Sequence, residues 1–369
     1  MEKVIINHRL VEGLYKVELR FKVTKDLRAI VNRAKALDKE VVIVGKHLVL
    51  LVDGNKRTYF TDTGYELGNS EKIFNLEDKN NDVQGVFEGC EFTLLDLTNV
   101  DTSNTVDMNS LFYLAVIDNI IFGEFNTHNV VDMTAMFLFS TIRCGLDLDF
   151  LDTSNVENTQ SMFEWITAPF LKVSKFNMSK CKNINAMFAH CTTDEVDISQ
   201  YDLSNVEDFS MLFDTNKIGK IRIGYLDTHN AVNMEAMFRG CKDLDADLIN
   251  KLDVSNVTNV GAMLADSEIH GIIDLRSWNT NKLKDISLMF NNAVIDKIEM
   301  FKLRGEVDMH DAFDSCIIHS DKLDLSEFRC TGDTRLIFRN LWVDTLILNK
   351  EFKESIGNFG KAKQMIVSR

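Results

Sequence analysis

The sequence predicts an α/β solenoid, a coil in which short parallel strands and short helices stack in register. The prediction rests first on one column of apolar residues that recurs every 23 to 26 residues along most of the chain. We call this column the spine; it comprises Phe87, Phe112, Phe137, Phe163, Phe188, Phe213, Phe238, Leu264, Phe290, Phe313 and Phe338. A fixed period of this length is typical of repeat proteins whose units pack on their neighbours.

A second column, five residues before the spine, contains only Asp or Asn. Its members are Asp107, Asp132, Asn158, Asn183, Asp208, Asn233, Asn259, Asp285, Asp308 and Asp333. Because both side chains offer an oxygen to backbone N–H groups, the column is interpreted as helix N-caps. Apolar residues follow at helical spacing, as in Met234, Met237, Phe238 and Cys241. About two turns of helix are therefore expected in each repeat.

Short alternating stretches upstream of these helices predict strands with one buried face. The stretches are 95–97, 196–198, 221–223, 273–275 and 323–325. A strand and a helix in each repeat require a parallel sheet on one side of the coil and a row of helices on the other.

The loop between strand and helix also repeats, as in Asp152-Thr153-Ser154-Asn155, and Asn recurs eight residues before the spine. These Asn amides are expected to hydrogen-bond loop backbone groups. The combined pattern of Leu-Asp-Leu, Asp-Thr-Ser-Asn-Val, Asp-Met, Met-Phe and Cys resembles the BspA-like leucine-rich repeats of bacterial surface proteins, over roughly residues 83–348. The resemblance implies a leucine-rich-repeat-like solenoid with a protein-binding or adhesive role.

Three regions are expected along the chain. Residues 1–82 predict a small α+β N-terminal domain or cap, with a strand near 14–23, an amphipathic helix near 25–37, strands near 40–52 and 57–60, and a turn at Asp53-Gly54-Asn55. Residues 83–348 form the solenoid of about ten 25-residue units, and 349–369 break the repeat and are expected to cap it.

Charge is divided unevenly between these regions. Residues 1–75 hold 14 Lys and Arg against 10 Asp and Glu, so the remaining 27 basic and 46 acidic residues give residues 76–369 a net charge of −19. This net negative charge disfavours direct nucleic-acid binding by the repeats and suits a protein partner with a basic surface.

Neither an export signal nor an apolar run of membrane-spanning length is recognisable, so a cytoplasmic protein with no membrane contact is expected.

Catalytic, cofactor and metal sites are not predicted. The glycines are scattered, and no phosphate-binding loop, nucleophile elbow or zinc motif occurs. Cys316, His319 and His310 lie close in sequence without a regular ligand spacing. Cys90, Cys191, Cys241 and Cys316 stand three residues after the spine and are interpreted as small core residues, with all seven cysteines of the chain reduced.

Two surface features are candidates for partner binding. The exposed strand centres and their neighbours make the first: Asp96, Asp147, Asp149, Lys172, Asp197, Arg222, Asp274 and Arg276. These charges could equally pair across neighbouring strands. Trp165 and Phe170 make the second, because they flank Pro169, the one proline of the chain, where other repeats place small or polar residues. The alternative for this pair is a place in the core.

The favoured function is a non-catalytic scaffold that binds a protein through the solenoid face. One alternative is an intracellular inhibitor, of mobile-element or phage type, whose acidic repeats block a nucleic-acid-handling defence enzyme. A further alternative, which follows from the family resemblance, is an exported adhesin. Binding that salt weakens strongly would favour the inhibitor.

Overall fold

The computed structural model describes residues 102–123 and 125–356 throughout, parts of 85–101, and the strand residues 3–6, 9–12, 40–43, 48–53, 56–61, 74–75 and 364–368. The repeat region is a parallel β-solenoid of about nine turns with few helices. The chain divides into two compact units. The first comprises Met1–Lys180, Cys191–Tyr201 and Ile218–Arg222, and the second comprises Cys181–His190, Asp202–Lys217 and Ile223–Arg369.

The first unit begins with a five-stranded sheet. Its strands are β1 (Lys3–Ile6), β2 (Arg9–Glu12), β3 (Glu40–Ile43), β4 (Leu48–Asp53) and β5 (Lys56–Thr61), in the order β2-β1-β3-β4-β5. β1 and β3 pair in parallel, and the other three neighbouring pairs of this sheet are antiparallel. The strand expected near 40–52 is thus two antiparallel strands, and the predicted turn falls between the paired ends of β4 and β5. The strand near 14–23 and the helix near 25–37 lie outside the described residues.

The repeats contribute short strands to both units. In the first unit these are β6 (Phe74–Asn75), β7 (Glu91–Phe92), β8 (Leu95–Asp96), β9 (Val100–Asp101), β10 (Val116–Ile117), β11 (Ile120–Ile121), β12 (Thr141–Ile142), β13 (Leu146–Asp147), β14 (Leu171–Lys172) and β15 (Thr192–Asp197), with β16 (Lys217–Arg222) pairing to β15. Pairing between coils is parallel, as between β10 and β12 and between β13 and β14. The predicted strands at 95–97, 196–198 and 221–223 overlap β8, β15 and β16 by two residues each, and β15 and β16 begin four residues earlier than predicted.

The second unit contains the remaining elements. They are β17 (Leu244–Asp245), α1 (Ala246–Asn250), β18 (Glu268–Asp274), β19 (Val294–Glu299), β20 (Leu303–Glu306), β21 (Ile317–Ile318), β22 (Lys322–Leu325), β23 (Phe328–Thr331), β24 (Thr345–Asn349), α2 (Lys350–Ser355) and β25 (Gln364–Ser368). Parallel sheets of order β17-β18-β19-β21, β20-β23 and β22-β24-β25 result. Phe352 of α2 is buried against Phe328, so the segment after the repeats covers part of the core.

The spine is the centre of the packing in both units. Phe87 is 3% exposed, and every later spine residue is fully buried. Within the first unit the rings of Phe87 and Phe112 stack 5.3 Å apart, and those of Phe112 and Phe137 stack 4.9 Å apart. Each buried phenylalanine contributes about 1.5–3 kcal/mol. The spine is therefore the main apolar contact between successive coils.

The helices predicted after the Asp or Asn column are wrong. The nine residues from this column to the third residue after the spine, such as 107–115, form what we call a turn segment, in which the backbone runs through successive turns. Two residues of each segment have positive φ, as do Ser110 and Leu114, both at 56°. A residue in this left-handed region ends an α-helix, so no helix can extend through the segment.

Hydrogen bonds in the turn segment alternate between two directions. The N–H of Phe112 donates to the carbonyl of Met136 in the next coil at 2.8 Å. The N–H of Leu111, in contrast, donates to Met108 of its own coil at 3.2 Å. The spine rings are about 5–6 Å apart, whereas an α-helix with its side chains is about 10 Å wide. Rows of helices would not fit this spacing, and turns do.

The side-chain oxygen of the Asp or Asn column nevertheless has the role expected for it. In all ten members it accepts the N–H two residues later, at 2.7–3.1 Å, and so closes an Asx turn. Loop Asn residues likewise donate to a carbonyl of the preceding coil, as Asn129 does to Ser103 and Asn155 to His128, both at 2.7 Å. The prediction for the Asn amides is confirmed, although these bonds lie in exposed loops.

Candidate interaction surface

Three large apolar side chains project from one repeated position of the first unit. Leu114, Phe139 and Trp165 each stand two residues after a spine residue and are 46%, 44% and 46% exposed. The rings of Phe139 and Trp165 stack with centroids 5.8 Å apart and planes 16° apart, and Tyr113 approaches Phe139 from the other neighbouring coil at 6.3 Å. We call Leu114, Phe139 and Trp165 the apolar ladder.

The backbone under the ladder is left-handed. Leu114, Phe139 and Trp165 have φ of 56°, 57° and 57°, a conformation that costs a residue with a Cβ roughly 1–2 kcal/mol. At the equivalent position the other turn segments have Gly89, His190, Thr215, Gly240, Asp266, Asn292, Ser315 and Asn340. These are glycine or polar residues, so the turn itself does not require a large apolar side chain there.

Phe170 follows Trp165 by five residues on the same coil. It is 39% exposed, and its ring lies on the backbone of Gly145, where a Cβ would stand 2.3 Å from the ring. The ammonium group of Lys172 is 5.6 Å from the ring centroid. Ile166, at 0% exposure, fills the core instead. The core alternative for Trp165 and Phe170 is therefore wrong, and their role in partner binding stays a prediction.

The strand-centre charges of the first unit are paired within the chain. The ammonium group of Lys172 is 2.8 Å from a carboxylate oxygen of Asp147, and this hydrogen bond holds the pKa of Asp147 below its ordinary value. Asp149 accepts from the hydroxyl of Ser174 at 3.0 Å and from the N–H of Lys175 at 3.1 Å. This is the cross-strand pairing that the sequence left open as an alternative.

Four of the remaining members of the predicted strand column, Asp197, Arg222, Asp274 and Arg276, are also engaged. Asp197 accepts the N–H of Ser199 at 2.9 Å, while Arg222 pairs with Glu195. In the second unit Arg276 pairs with Asp274 at 2.6 Å, and this hydrogen bond lowers the pKa of Asp274. Asp96 belongs to β8, and its side chain lies outside what the structure describes. The described members of the column thus make local contacts within each unit.

Leu114 and Phe139 were missed as surface residues by sequence reasoning. Their signal was present, because they and Trp165 recur 25 and 26 residues apart, two residues after the spine. The sequence analysis interpreted the segment as a helix, in which the position two residues after the spine has the same backbone conformation as its neighbours, so the recurrence was not recognised as significant. Positive φ is what distinguishes it.

A second cluster of polar residues occurs in the second unit. Asp308, His310 and Asp333 each place a possible ligand atom within 4.8 Å of the others. His310 Nδ1 is 2.7 Å from Asp308, and Arg335 pairs with Asp333 at 2.5 Å. The guanidinium group already supplies a positive charge to this carboxylate. The same two aspartates close Asx turns, so the cluster follows from the turn architecture.

The buried cysteines agree with their predicted core role. Cys191, Cys241 and Cys316 are at most 3% exposed, and burial raises the pKa of the Cys191 and Cys241 thiols to about 12. The six cysteines that the structure describes are free thiols, and Cys90 lies outside the described residues. Thiolate chemistry is disfavoured at these three positions.

Neither helix in the described part of the chain has the length and apolar character needed to cross a membrane.

The fold and this surface define a parallel β-solenoid repeat protein. The family described as "Mycoplasma protein of unknown function, DUF285" matches residues 81–168, 138–218 and 214–326, which together span more than half of the chain, and the protein belongs to this family. The match supports a repeat protein without singling out the BspA-like leucine-rich repeats. No curated protein and no solved structure matches the chain significantly.

Proposed function

We propose that this protein is a non-catalytic scaffold that binds a protein partner through the apolar ladder. The observation that carries the proposal is the ladder itself: three exposed apolar side chains in successive turn segments, held in a backbone conformation that disfavours them. Strained backbone conformations persist where the surroundings or a function maintain them. Since polar residues and glycine occupy this position elsewhere in the repeats, partner binding accounts for the choice better than folding does.

The chemistry of the ladder favours a protein over a small ligand. Large aromatic residues are enriched among the side chains that dominate the energy of protein interfaces. Phe139 and Trp165 stack on each other and are still 44% and 46% exposed, so the pair presents apolar ring surface to solvent. The strand-centre carboxylates of Asp147 and Asp149 already have partners within the chain, so the apolar ladder is the better source of binding energy.

Comparative affinity capture from the native cell tests the proposal. The baits are the full chain, a Trp165→Ser variant and an Asn292→Ser variant, which changes the equivalent turn position of the second unit. A protein retained by the unchanged chain and by Asn292→Ser, and reduced at least about tenfold by Trp165→Ser, would support it. Equal capture by all three baits would contradict it.

The salt dependence of binding distinguishes the scaffold from the inhibitor alternative. The inhibitor stays a candidate because residues 76–369 hold 27 basic and 46 acidic residues, a net charge of −19. Binding through the ladder should change little when salt is raised, because apolar contacts are not screened. Loss of the captured protein at high salt, with Trp165→Ser behaving like the unchanged chain, would favour binding by the acidic surface.

A further inference from the structure

The surface on one side of the ladder carries little net charge in a chain whose net charge is −15. The position two residues after the ladder is occupied by Val116, Thr141 and Thr167, which lie side by side on parallel coils. Beyond them Arg143 pairs with Asp118 at 2.5 Å. On this side the ladder is therefore bordered by three uncharged residues and, beyond them, by a neutralised ion pair.

We propose that the ladder binds a second copy of this chain, an inference that rests on the proposed function and names its partner. Two copies with a net charge of −15 each repel one another over most of their surfaces. Contact is least opposed where the surface is uncharged and apolar, and the ladder meets both conditions.

The order of side chains along the ladder fits a two-fold symmetric contact. In such an interface, if one residue contacts a second, the second contacts the first across the axis. With the axis at Phe139, the two Phe139 rings meet, and Leu114 of one copy faces Trp165 of the other. The smaller side chain thus opposes the larger at both ends of the contact.

Space for the tryptophan is present next to Leu114. The preceding coil has Gly89 at the ladder position, with φ of 64°, and no heavy atom lies within 4 Å of where a Cβ would stand. The side chain at the ladder position therefore increases in size from coil to coil, from glycine through leucine and phenylalanine to tryptophan. An antiparallel second copy would place its largest side chain over the smallest ones.

Sedimentation velocity of the full chain over a range of concentrations tests the inference. We expect a species of twice the 42.1 kDa chain mass, and a dimer about 30-fold weaker after Trp165→Asp. Aspartate tolerates positive φ, so this variant should retain its fold, which a urea unfolding curve checks. The matched variant Asn340→Asp, at the equivalent exposed turn position of the second unit, should dimerise like the unchanged chain. A chain that stays monomeric at all concentrations, or equal weakening by both variants, would overturn the inference.

Cysteine cross-linking tests the position of the axis. A short bifunctional thiol reagent should join two copies of Phe139→Cys, because the two-fold axis brings this residue of each copy within two side-chain lengths of its counterpart, farther than a direct disulfide spans. The reagent should not join copies of Asn292→Cys, and the unchanged chain controls for the native cysteines. Cross-linking at position 292 but not at 139 would overturn the inference. A monomeric chain that still loses a captured protein on Trp165→Ser would overturn self-association and leave the proposed scaffold function standing.

Discussion

The turn segments of the first unit and those of the second have the same backbone conformation, but they expose different side chains to solvent. Phe139 in the first unit and Asn292 in the second have φ of 57° and 54°. The first exposes an aromatic ring, and the second donates a hydrogen bond to Asp266 at 2.8 Å. The comparison shows that the turn requires a left-handed backbone at this position but does not require a large apolar side chain. The apolar side chains of the first unit therefore have another role, at the surface.

The largest expected effect separates two phenylalanines of a single turn segment. Phe137 is fully buried in the spine, whereas Phe139 is 44% exposed in the ladder. Phe137→Ala should lower the free energy of unfolding by about 3–5 kcal/mol, because it removes buried area and leaves a cavity. Phe139→Ala should change it by less than about 1 kcal/mol. Urea unfolding measures both, and similar losses from the two variants would remove the distinction between spine and ladder.

A smaller effect is expected from changing the residues at the left-handed position. Gly240 has φ of 69°, and a Cβ there would stand 3.2 Å from the backbone of Thr215. Gly240→Ala should therefore lower the free energy of unfolding by about 1–2 kcal/mol. Trp165→Gly should lose the exposed ring contact but relieve the backbone, with a net change below about 1 kcal/mol. A large loss from Trp165→Gly would mean that the ladder stabilises the fold.

The Asx turns provide a comparable test in the second unit. The carboxylate of Asp208 accepts the N–H of Ser210 at 2.9 Å, and Ser210 is buried. Asp208→Ala should cost about 0.5–2 kcal/mol in the free energy of unfolding, since it leaves this buried donor without its acceptor. Asp208→Asn keeps an acceptor oxygen and should remain close to the unchanged protein. If both variants were equally destabilised, charge rather than hydrogen bonding would be the important property.

The smallest effect is a dependence of stability on acidic pH in the first unit. Hydrogen bonds from Ser154 and His128 lower the pKa of Asp152 to about 2, below the value of about 3.9 in an unfolded chain. The stabilisation is therefore fully present above about pH 5 and is lost as the pH falls from there toward 2. Asp152→Asn should lose less stability over this interval in urea unfolding. An unchanged slope with pH would exclude Asp152 as a contributor.

The internal period determined much of the fold without any structure. It located the spine, the strands at 196–198 and 273–275 and the buried cysteine positions, because these depend on the alternation of buried and exposed residues. The Asp or Asn column also revealed its chemistry, since a position that accepts either residue requires a side-chain oxygen rather than a charge. That inference holds although the hydrogen bond closes an Asx turn instead of a helix cap.

Only the tertiary structure decided between helix and turn, because both place the first, fourth, fifth and eighth residues inward. Met234, Met237, Phe238 and Cys241 are all buried, as a helix would also have buried them. What excludes the helix is the close stacking of coils, in which alternate N–H groups bond to the next repeat and leave no width for helices. The same backbone gives the ladder position its positive φ. The sequence determined which residues recur, and the stacking distance determined the conformation in which they recur.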